Sequence, residues 1–334
     1  MSIIQLENIS HQFGNLSVLD SLSLNLNKGE VLGLFGHNGA GKTTSMKMIL
    51  GLLEPTQGTI KVFGESPCSS NFNHFRYQIG FLPENVSFYQ ELTGLEVLQF
   101  FAKLKKVSLT RCEQLLQKVG LSDAASRKVK TYSKGMKQRL GLAQAILTEP
   151  SLLLLDEPTV GLDPIATQEF YDIVDHLKNN GCSIILCSHV LPGVEKHIDK
   201  VAILSKGQLA AFGSIQDLRK QTPLATRINF SGCFDIEKLS NKLGIAITSE
   251  DDGNFSIQIS SQDKLNIVKT LLAQPGINNL DTVPPSLEQL YRHFVLDESK
   301  NKNEEFEKLN CEKINQEPSS DTPKQEKNKK RDAL

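Results

Sequence analysis

The sequence predicts an α/β domain with a helical subdomain, then a small α+β domain, then a charged tail. Three observations predict it. Short apolar runs alternate with amphipathic stretches over 29–213, as expected for a largely parallel sheet crossed by helices. A helical pattern without strands fills roughly 84–147. After a break at "QTPLA" the order becomes strand, helix, strand, strand, helix, strand, which is ferredoxin-like. The expected bounds are 1–220, 221–297 and 298–334.

The elements follow in order. Residues 1–35 alternate apolar and polar and end in "VLGLF", a buried strand running into a Gly-rich loop. "TTSMKMILGLL" (43–53) reads as a helix, and 59–82 as strand pieces around a loop containing Pro67, Ser69 and Ser70. "GLEVLQFFAKL", "LTRCEQLLQKVG" and a stretch starting near 133 read as helices. "SLLLLDEP" is a short β run. "PIATQEFYDIVDHLKNNG" is an amphipathic helix with a glycine stop. "CSIILCSH" and "KVAILSKGQLAAFG" are further strands. In the small domain, strands are expected at 225–231, 245–249, 255–260 and 277–283, and helices at 235–243, 262–274 and 286–295. Beyond about 298 the chain is Lys, Glu, Asn, Gln and Pro with little apolar content. Such a segment buries too little to offset its ordering entropy, so disorder is expected.

Composition excludes several classes. The 334 residues are 39% hydrophobic, enough for a full core. Lys and Arg total 37 against 38 Asp and Glu, so no bulk charge points to nucleic acid or an anionic membrane, and no nucleic-acid partner is expected. Cys68, Cys112, Cys182, Cys187, Cys233 and Cys311 form no C-x-x-C pair and fit reduced thiols. The start "MSIIQLENISHQFG" lacks the basic and apolar regions of a signal peptide. No apolar run approaches the roughly 20 residues that span a bilayer, so any membrane link is expected to go through a partner.

Three motifs carry chemistry. "GHNGAGKTT" (36–44) matches G-x-x-x-x-G-K-[ST] between an apolar strand and a helix. Gly36, Gly39 and Gly41 let backbone amides approach phosphate oxygens, with His37, Asn38, Ala40 and Thr44 completing the loop. Lys42 supplies charge to the β- and γ-phosphates, and Thr43 offers a hydroxyl to Mg²⁺. The helix that follows favours the anion at its N-terminus. "LLLLDEP" (152–158) places Asp156 at a strand end facing the Mg²⁺ shell, and Glu157 next to it as general base. His189 ends the apolar strand "SIILCSH", where a ring could contact the γ-phosphate and link it to an acid.

The succession GHNGAGKTT, YSKGM, LLLLDEP, GLDP and His189 resembles the ATP-binding subunit of an ABC transporter over about 3–215. The resemblance implies a composite site, with ATP on one subunit capped by the segment before the signature helix of a second. Ser133 and Gly135 match the serine and second glycine of L-S-G-G-Q, while Tyr132, Lys134 and Met136 replace Leu, Gly and Gln. Lys134 either touches phosphate or faces solvent, and solvent is favoured. Phe13 matches the aromatic that stacks on adenine, and Asp163 in "GLDP" the loop that touches the partner's site. Glu84 stands where the family has a Gln that senses Mg²⁺ and the membrane subunit; a carboxylate there could still ligate Mg²⁺. "NVSFYQELTG" lies where family members receive the permease, with Phe88 and Tyr89 as anchors or as plain core.

Further words, among them His37, "PIATQ", "SHVLPGVE" and "TVPPSLEQLYRHF", are similar to the ATPases of Nos transporters, which serve copper-site assembly of nitrous oxide reductase. That resemblance implies ATP and Mg²⁺ as cofactors, a homodimer, a membrane permease, a periplasmic binding subunit, and a place on the cytoplasmic face of the inner membrane. The alternative is another two-component exporter for a drug, lipid or ion. A ribosomal or DNA-repair ABC protein is disfavoured by the single phosphate loop and the lack of sustained heptads, and a P-loop kinase by the YSKGM segment.

Overall fold

The computed structural model describes residues 2–250, 253–260 and 263–297. The expected tail, with Cys311, lies outside the described residues. The chain begins with β1 (Ser2–Phe13), β2 (Leu16–Asn27), β3 (Val31–Phe35), α1 (Lys42–Ile49), β4 (Gln57–Val62) and β5 (Ile79–Leu82). Three helices follow: α2 (Gly94–Lys105), α3 (Thr110–Lys118) and α4 (Lys134–Ala145). Next come β6 (Leu152–Asp156), α5 (Pro164–Asn179), β7 (Ser183–Ser188), β8 (Lys200–Ser205), β9 (Gln208–Gly213) and α6 (Ile215–Gln221). The remainder is β10 (Thr226–Gly232), α7 (Ile236–Leu243), β11 (Thr248–Ser249), β12 (Asn254–Ile259), α8 (Lys264–Leu272), β13 (Ile277–Val283) and α9 (Leu287–Arg292).

The central six-stranded sheet runs β5-β6-β7-β3-β8-β9. Its pairs are parallel except β8 with β9. β3, β6 and β7 are buried at every residue, which is why they read as continuous apolar runs rather than alternating ones. The segment of β4, expected inside an α/β alternation, instead pairs with β1 in an antiparallel sheet of order β2-β1-β4. There it shows its own alternation, with Ile60 and Val62 buried between exposed neighbours. One core joins that sheet, α1 and one face of the central sheet. A second joins the other face to α2–α5.

Two boundaries differ from expectation. The helix expected to reach 53 stops at Ile49, and Gly51 then takes a left-handed conformation (φ 67) that turns the chain. The strand expected at 245–249 shrinks to Thr248–Ser249; Ile245 and Ile247 are instead drawn against the small core. That third core lies under a four-stranded antiparallel sheet of order β11-β12-β10-β13, which with α7 and α8 makes the ferredoxin-like arrangement. α9 does not join it. Its Leu287 and Leu290 are fully buried in the core on the α2–α5 side of the central sheet.

In the helical subdomain, Tyr132 is buried and its hydroxyl donates to the Ala124 carbonyl at 2.7 Å. A Cβ on Gly94 would lie 2.2 Å from that hydroxyl, so the tyrosine and the glycine at the start of α2 require each other. Burial pushes the Tyr132 hydroxyl up from its ordinary acidity.

Candidate active site

Three neighbouring parallel strands deliver the site. β6 and β3 flank β7, with Asp156 opposite Cys187 and Phe35 opposite Ser188. The residues that follow each strand therefore emerge at one level: Gly36, Glu157 and His189. Ligands of open α/β sheets bind at this carboxyl edge. A cleft of about 300 Å³ opens there, lined by His37, Asn38, Gly39, Gly41, Lys42, Thr43, Thr44, Glu84, Asp156, Glu157, His189 and Val18. A larger cavity of about 630 Å³ lies at Lys28, Arg111, Lys118 and His176. It has no glycine loop or paired carboxylates, so chemistry rather than size selects the smaller cleft.

The phosphate loop is a turn closed by its own backbone: the Ala40 amide donates to the His37 carbonyl at 3.1 Å. Gly41 takes φ 105, and a Cβ there would meet Leu19 Cδ2 at 2.5 Å, so no other residue fits. Gly39 faces open space. Gly36 and Ala40 are buried beneath the loop. Lys42 is buried, and its ammonium donates to the Gly36 carbonyl at 2.5 Å while standing 3.5 Å from Glu157 Oε1. Thr43 donates its hydroxyl to Asp156 Oδ2 at 3.0 Å.

Glu157 sits at φ 50, a left-handed conformation uncommon for a residue with a side chain. Such strain collects where function over-determines the backbone. The Glu157 amide donates to the Cys187 carbonyl at 2.9 Å. Its Oε2 accepts from the His189 amide at 3.2 Å and faces His189 Nδ1 at 2.8 Å. Its Oε1 is buried with no hydrogen-bond donor. Burial raises the Asp156 carboxyl above the ordinary range; the Thr43 bond and Lys42 oppose that, and the Glu157 and Glu84 carboxylates add to it. The same burial pushes the Cys187 thiol well up, so it stays a core residue.

This cleft fits a magnesium nucleotide. It offers an open loop of amides, a buried ammonium, and a carboxylate oxygen without a donor. Among the described residues no set of three His, Cys, Asp or Glu is preassembled for a metal. Mg²⁺ commonly binds through one or two protein groups plus substrate phosphates, and Thr43 and Asp156, with Glu84 beside them, are the groups that would hold it.

The remaining candidates lie elsewhere. Ser133 caps α4, accepting from the Met136 amide at 3.2 Å. Ser133 and Lys134 are exposed, and Met136 packs its side chain against the core. A Cβ on Gly135 would come 3.2 Å from Leu162, and one on Gly161 would come 2.9 Å from Lys134 Cδ. The signature turn therefore rests on the loop before Asp163. Asp163 caps α5, accepting from the Ala166 amide at 2.8 Å. Phe13 is 52% exposed at the tip of the β1–β2 hairpin, edge-on to His11 at 4.6 Å. None of Phe13, Ser133–Met136 or Asp163 lines the cleft of the same chain. Val18 does, and nothing in its alternating strand marked it.

Residues 19–160 match the family model "ABC transporter". The bacitracin transport ATP-binding protein BcrA of Enterococcus faecalis is 38% identical over 78% of this chain and 85% of its own length. The linearmycin resistance ATP-binding protein LnrL of Bacillus subtilis (strain 168) is 31% identical over 88% and 98%. The chain belongs to the ATP-binding subunits of ABC transporters. A solved structure described as an ATP-binding subunit of an ABC transporter superposes with a TM-score of 0.61 at 33% identity, covering 66% of this chain and 92% of that one. As an ABC ATP-binding subunit, this chain hydrolyses ATP to drive transport. No described helix is long and apolar enough to cross a membrane.

Proposed function

We propose that two copies of this chain hydrolyse MgATP between them to power the permease of an exporter for an antibiotic. One observation carries the composite site: the cleft holds Lys42, Asp156, Glu157 and His189 but none of Ser133–Met136. In this reading the amides of 38–44 and Lys42 bind the phosphates, and Mg²⁺ supplies charge neutralisation between them. Glu157, held by His189, takes the proton of the attacking water through Oε2 or the donor-free Oε1. Asp163 stands beside the partner's site, and Phe13 packs against the base. Ser133 brings a hydroxyl and the N-terminus of α4 to the other copy's γ-phosphate. Lys134 faces solvent.

The exporter class is supported by the names of the relatives, which give bacitracin transport and linearmycin resistance. The permease would dock at Ser87–Tyr89 and α2, where Phe88, Tyr89, Leu92, Phe100 and Phe101 line an apolar groove. Tyr89 is 72% exposed there, edge-on to Phe100 at 6.3 Å. That docking puts the chain on the cytoplasmic face of the membrane. Residues 1–220 form the nucleotide-binding domain in this reading, and 221–297 an accessory domain.

The test is to express the chain with the permease encoded beside it in a sensitive host and measure growth against bacitracin and linearmycin. Protection lost in Glu157→Gln supports the proposal; no protection against either compound contradicts the exporter class. A second reading, a Nos transporter with a periplasmic binding subunit, has the shared words "PIATQ" and "SHVLPGVE" in its favour. It predicts that deleting the gene leaves nitrous oxide reductase without its catalytic copper centre. A fully loaded reductase excludes it.

A further inference from the structure

The β1–β2 hairpin carries Phe13 and lies against the phosphate loop. His11 pairs with Leu19 and Gln12 with Ser17, so one step along β1 answers two along β2. The extra residue is Val18, and such a bulge re-aims a side chain; Val18 lines the nucleotide cleft. Leu19 is the residue whose Cδ2 stands 2.5 Å from a Cβ built on Gly41. His11 therefore sits directly across the ladder from the residue packed on the loop, with Phe13 two positions further on the same face. His11 is 7% exposed. Its Nδ1 lies 3.3 Å from Thr56 Oγ1, which also accepts from the Gln12 amide at 3.4 Å. The Thr56 amide donates to the Ser10 carbonyl at 2.9 Å, so Thr56 is itself fixed to β1. Nε2, on the other side of the imidazole, is shut off from water and makes no hydrogen bond. A buried polar atom in that condition calls for an explanation. The ring set against this imidazole is Phe13, with centroids 4.6 Å apart and planes at 80°.

We propose that His11 is the positioning residue for base recognition: its tethered imidazole holds the Phe13 ring as a platform for the base of a nucleoside triphosphate. The inference rests on the ATP-site reading, in which Phe13 packs against the base. Edge-to-face contact is an arrangement that aromatic rings favour. A ring at an exposed hairpin tip would otherwise sample its rotamers, and a base stacking on it would have to order it first. Here Phe13 rests on a buried ring held through Thr56, while 52% of the residue stays open. Stacking reads a π-face and not a hydrogen-bonding edge, so an ordered, half-open ring is sufficient for it. The phosphates do not need the platform, because the amides of 38–44 and Lys42 bind them in that reading. His11 should therefore raise the affinity for a nucleotide and leave the affinity for a bare triphosphate unchanged. It touches no reacting atom.

The experiment separates the inference from the reading beneath it. Full-length wild-type protein is compared with Phe13→Ala, His11→Leu, His11→Phe, Thr56→Val, Lys42→Ala and the double variant of His11→Leu with Phe13→Ala. The Mg²⁺ complexes of ATP and of inorganic tripolyphosphate are titrated by calorimetry, and Tm is recorded. The ratio of the two affinities reads the base alone. Phe13→Ala should lower that ratio about 5–100-fold. His11→Leu fills the core without a ring edge and should lower it about 2–10-fold, with tripolyphosphate affinity within about 2-fold of wild type. His11→Phe, which returns a ring edge, should restore most of the ratio. Thr56→Val cuts the tether and leaves both rings, and should lower the ratio in the same direction. In the Phe13→Ala chain, His11→Leu should change the ratio no further, a coupling that a merely structural role would not produce. A wild-type ratio in His11→Leu or in Thr56→Val overturns the inference, as does a loss confined to Tm or shared equally by ATP and tripolyphosphate. If Phe13→Ala keeps the wild-type ratio, the base platform falls and the inference with it, while loss of ATP binding in Lys42→Ala still supports the phosphate site. A wild-type chain that binds no MgATP overturns both.

Discussion

At the strand ends Lys42, Asp156 and Glu157 are buried, whereas at the start of α4 Ser133 and Lys134 stand in solvent. The first region is only partly satisfied: Asp156 is pushed up by burial, and Glu157 Oε1 accepts no hydrogen bond and has only the Lys42 ammonium 3.5 Å away. The second is already satisfied, because Ser133 accepts the Met136 amide and closes its own helix. Buried polar groups without partners are costly. A half-site kept in that condition is poised for a ligand that supplies cation and water. The signature half has no such need within its own chain, and its spare resources, a hydroxyl proton and a helix N-terminus, point outward. The difference is the one the proposed two-copy site requires: each region offers what the other lacks.

The largest effect is expected from Lys42→Ala. It removes the ammonium between Gly36 and Glu157 and leaves a buried carboxylate alone. MgATP affinity should fall by at least about 100-fold, and the fold should weaken by about 3–5 kcal/mol, the cost of stranding one partner of a buried pair. Titration with nucleotide and a thermal melt read both; unchanged affinity would refute the phosphate role. Next comes Glu157→Gln, for which hydrolysis should drop about 10²–10⁴-fold with binding intact if the residue is the general base. Steady-state turnover beside equilibrium binding checks it.

Ser133 sharpens the comparison, because cap and phosphate roles can be separated. Ser133→Ala should cost about 1 kcal/mol of stability, the usual value of an N-cap. Ser133→Asp keeps a good cap but places a negative charge where the partner's phosphate would come. It should melt like wild type, bind MgATP like wild type as a monomer, and hydrolyse at least about 10-fold more slowly. Equal turnover in both variants would leave Ser133 as a cap and nothing more.

The smallest effect concerns pH. Asp156 is raised in the folded state, chiefly by burial. Its ionisation therefore costs stability as pH rises through the ordinary carboxylate value, and the cost is complete once pH exceeds the raised folded value. Glu84→Gln removes one of the carboxylates that add to the shift. The loss of stability between about pH 4 and 7 should be shallower in Glu84→Gln than in wild type, by under about 1 kcal/mol. Urea melts without Mg²⁺ at the two pH values measure it, and identical slopes would remove Glu84 from the field at Asp156.

Much of this molecule is legible in the sequence because strand burial and loop chemistry leave local marks. "VLGLF", "LLLLD" and "SIILCS" read as buried strands, and the residues after them read as the site. Their adjacency is what the sheet adds: only the order β6-β7-β3 brings Glu157, His189 and the loop to one cleft. What was not legible depends on distant pairs. The fit of Tyr132 rests on Gly94 having no side chain. β4 left the expected parallel sheet because β1 offers it a partner edge. α9, read as the last helix of the small domain, packs on the nucleotide-binding core because Glu195 and Arg219 meet its N-terminus. No periodicity within 286–295 encodes that choice.

The most direct test of the two-copy site is the mass of Glu157→Gln in solution with saturating MgATP, measured by light scattering after size exclusion. The composite site predicts a stable dimer that reverts to monomer when Ser133→Asp is added to the same chain. A Glu157→Gln protein that binds MgATP and remains a monomer, or a dimer indifferent to Ser133→Asp, would contradict it.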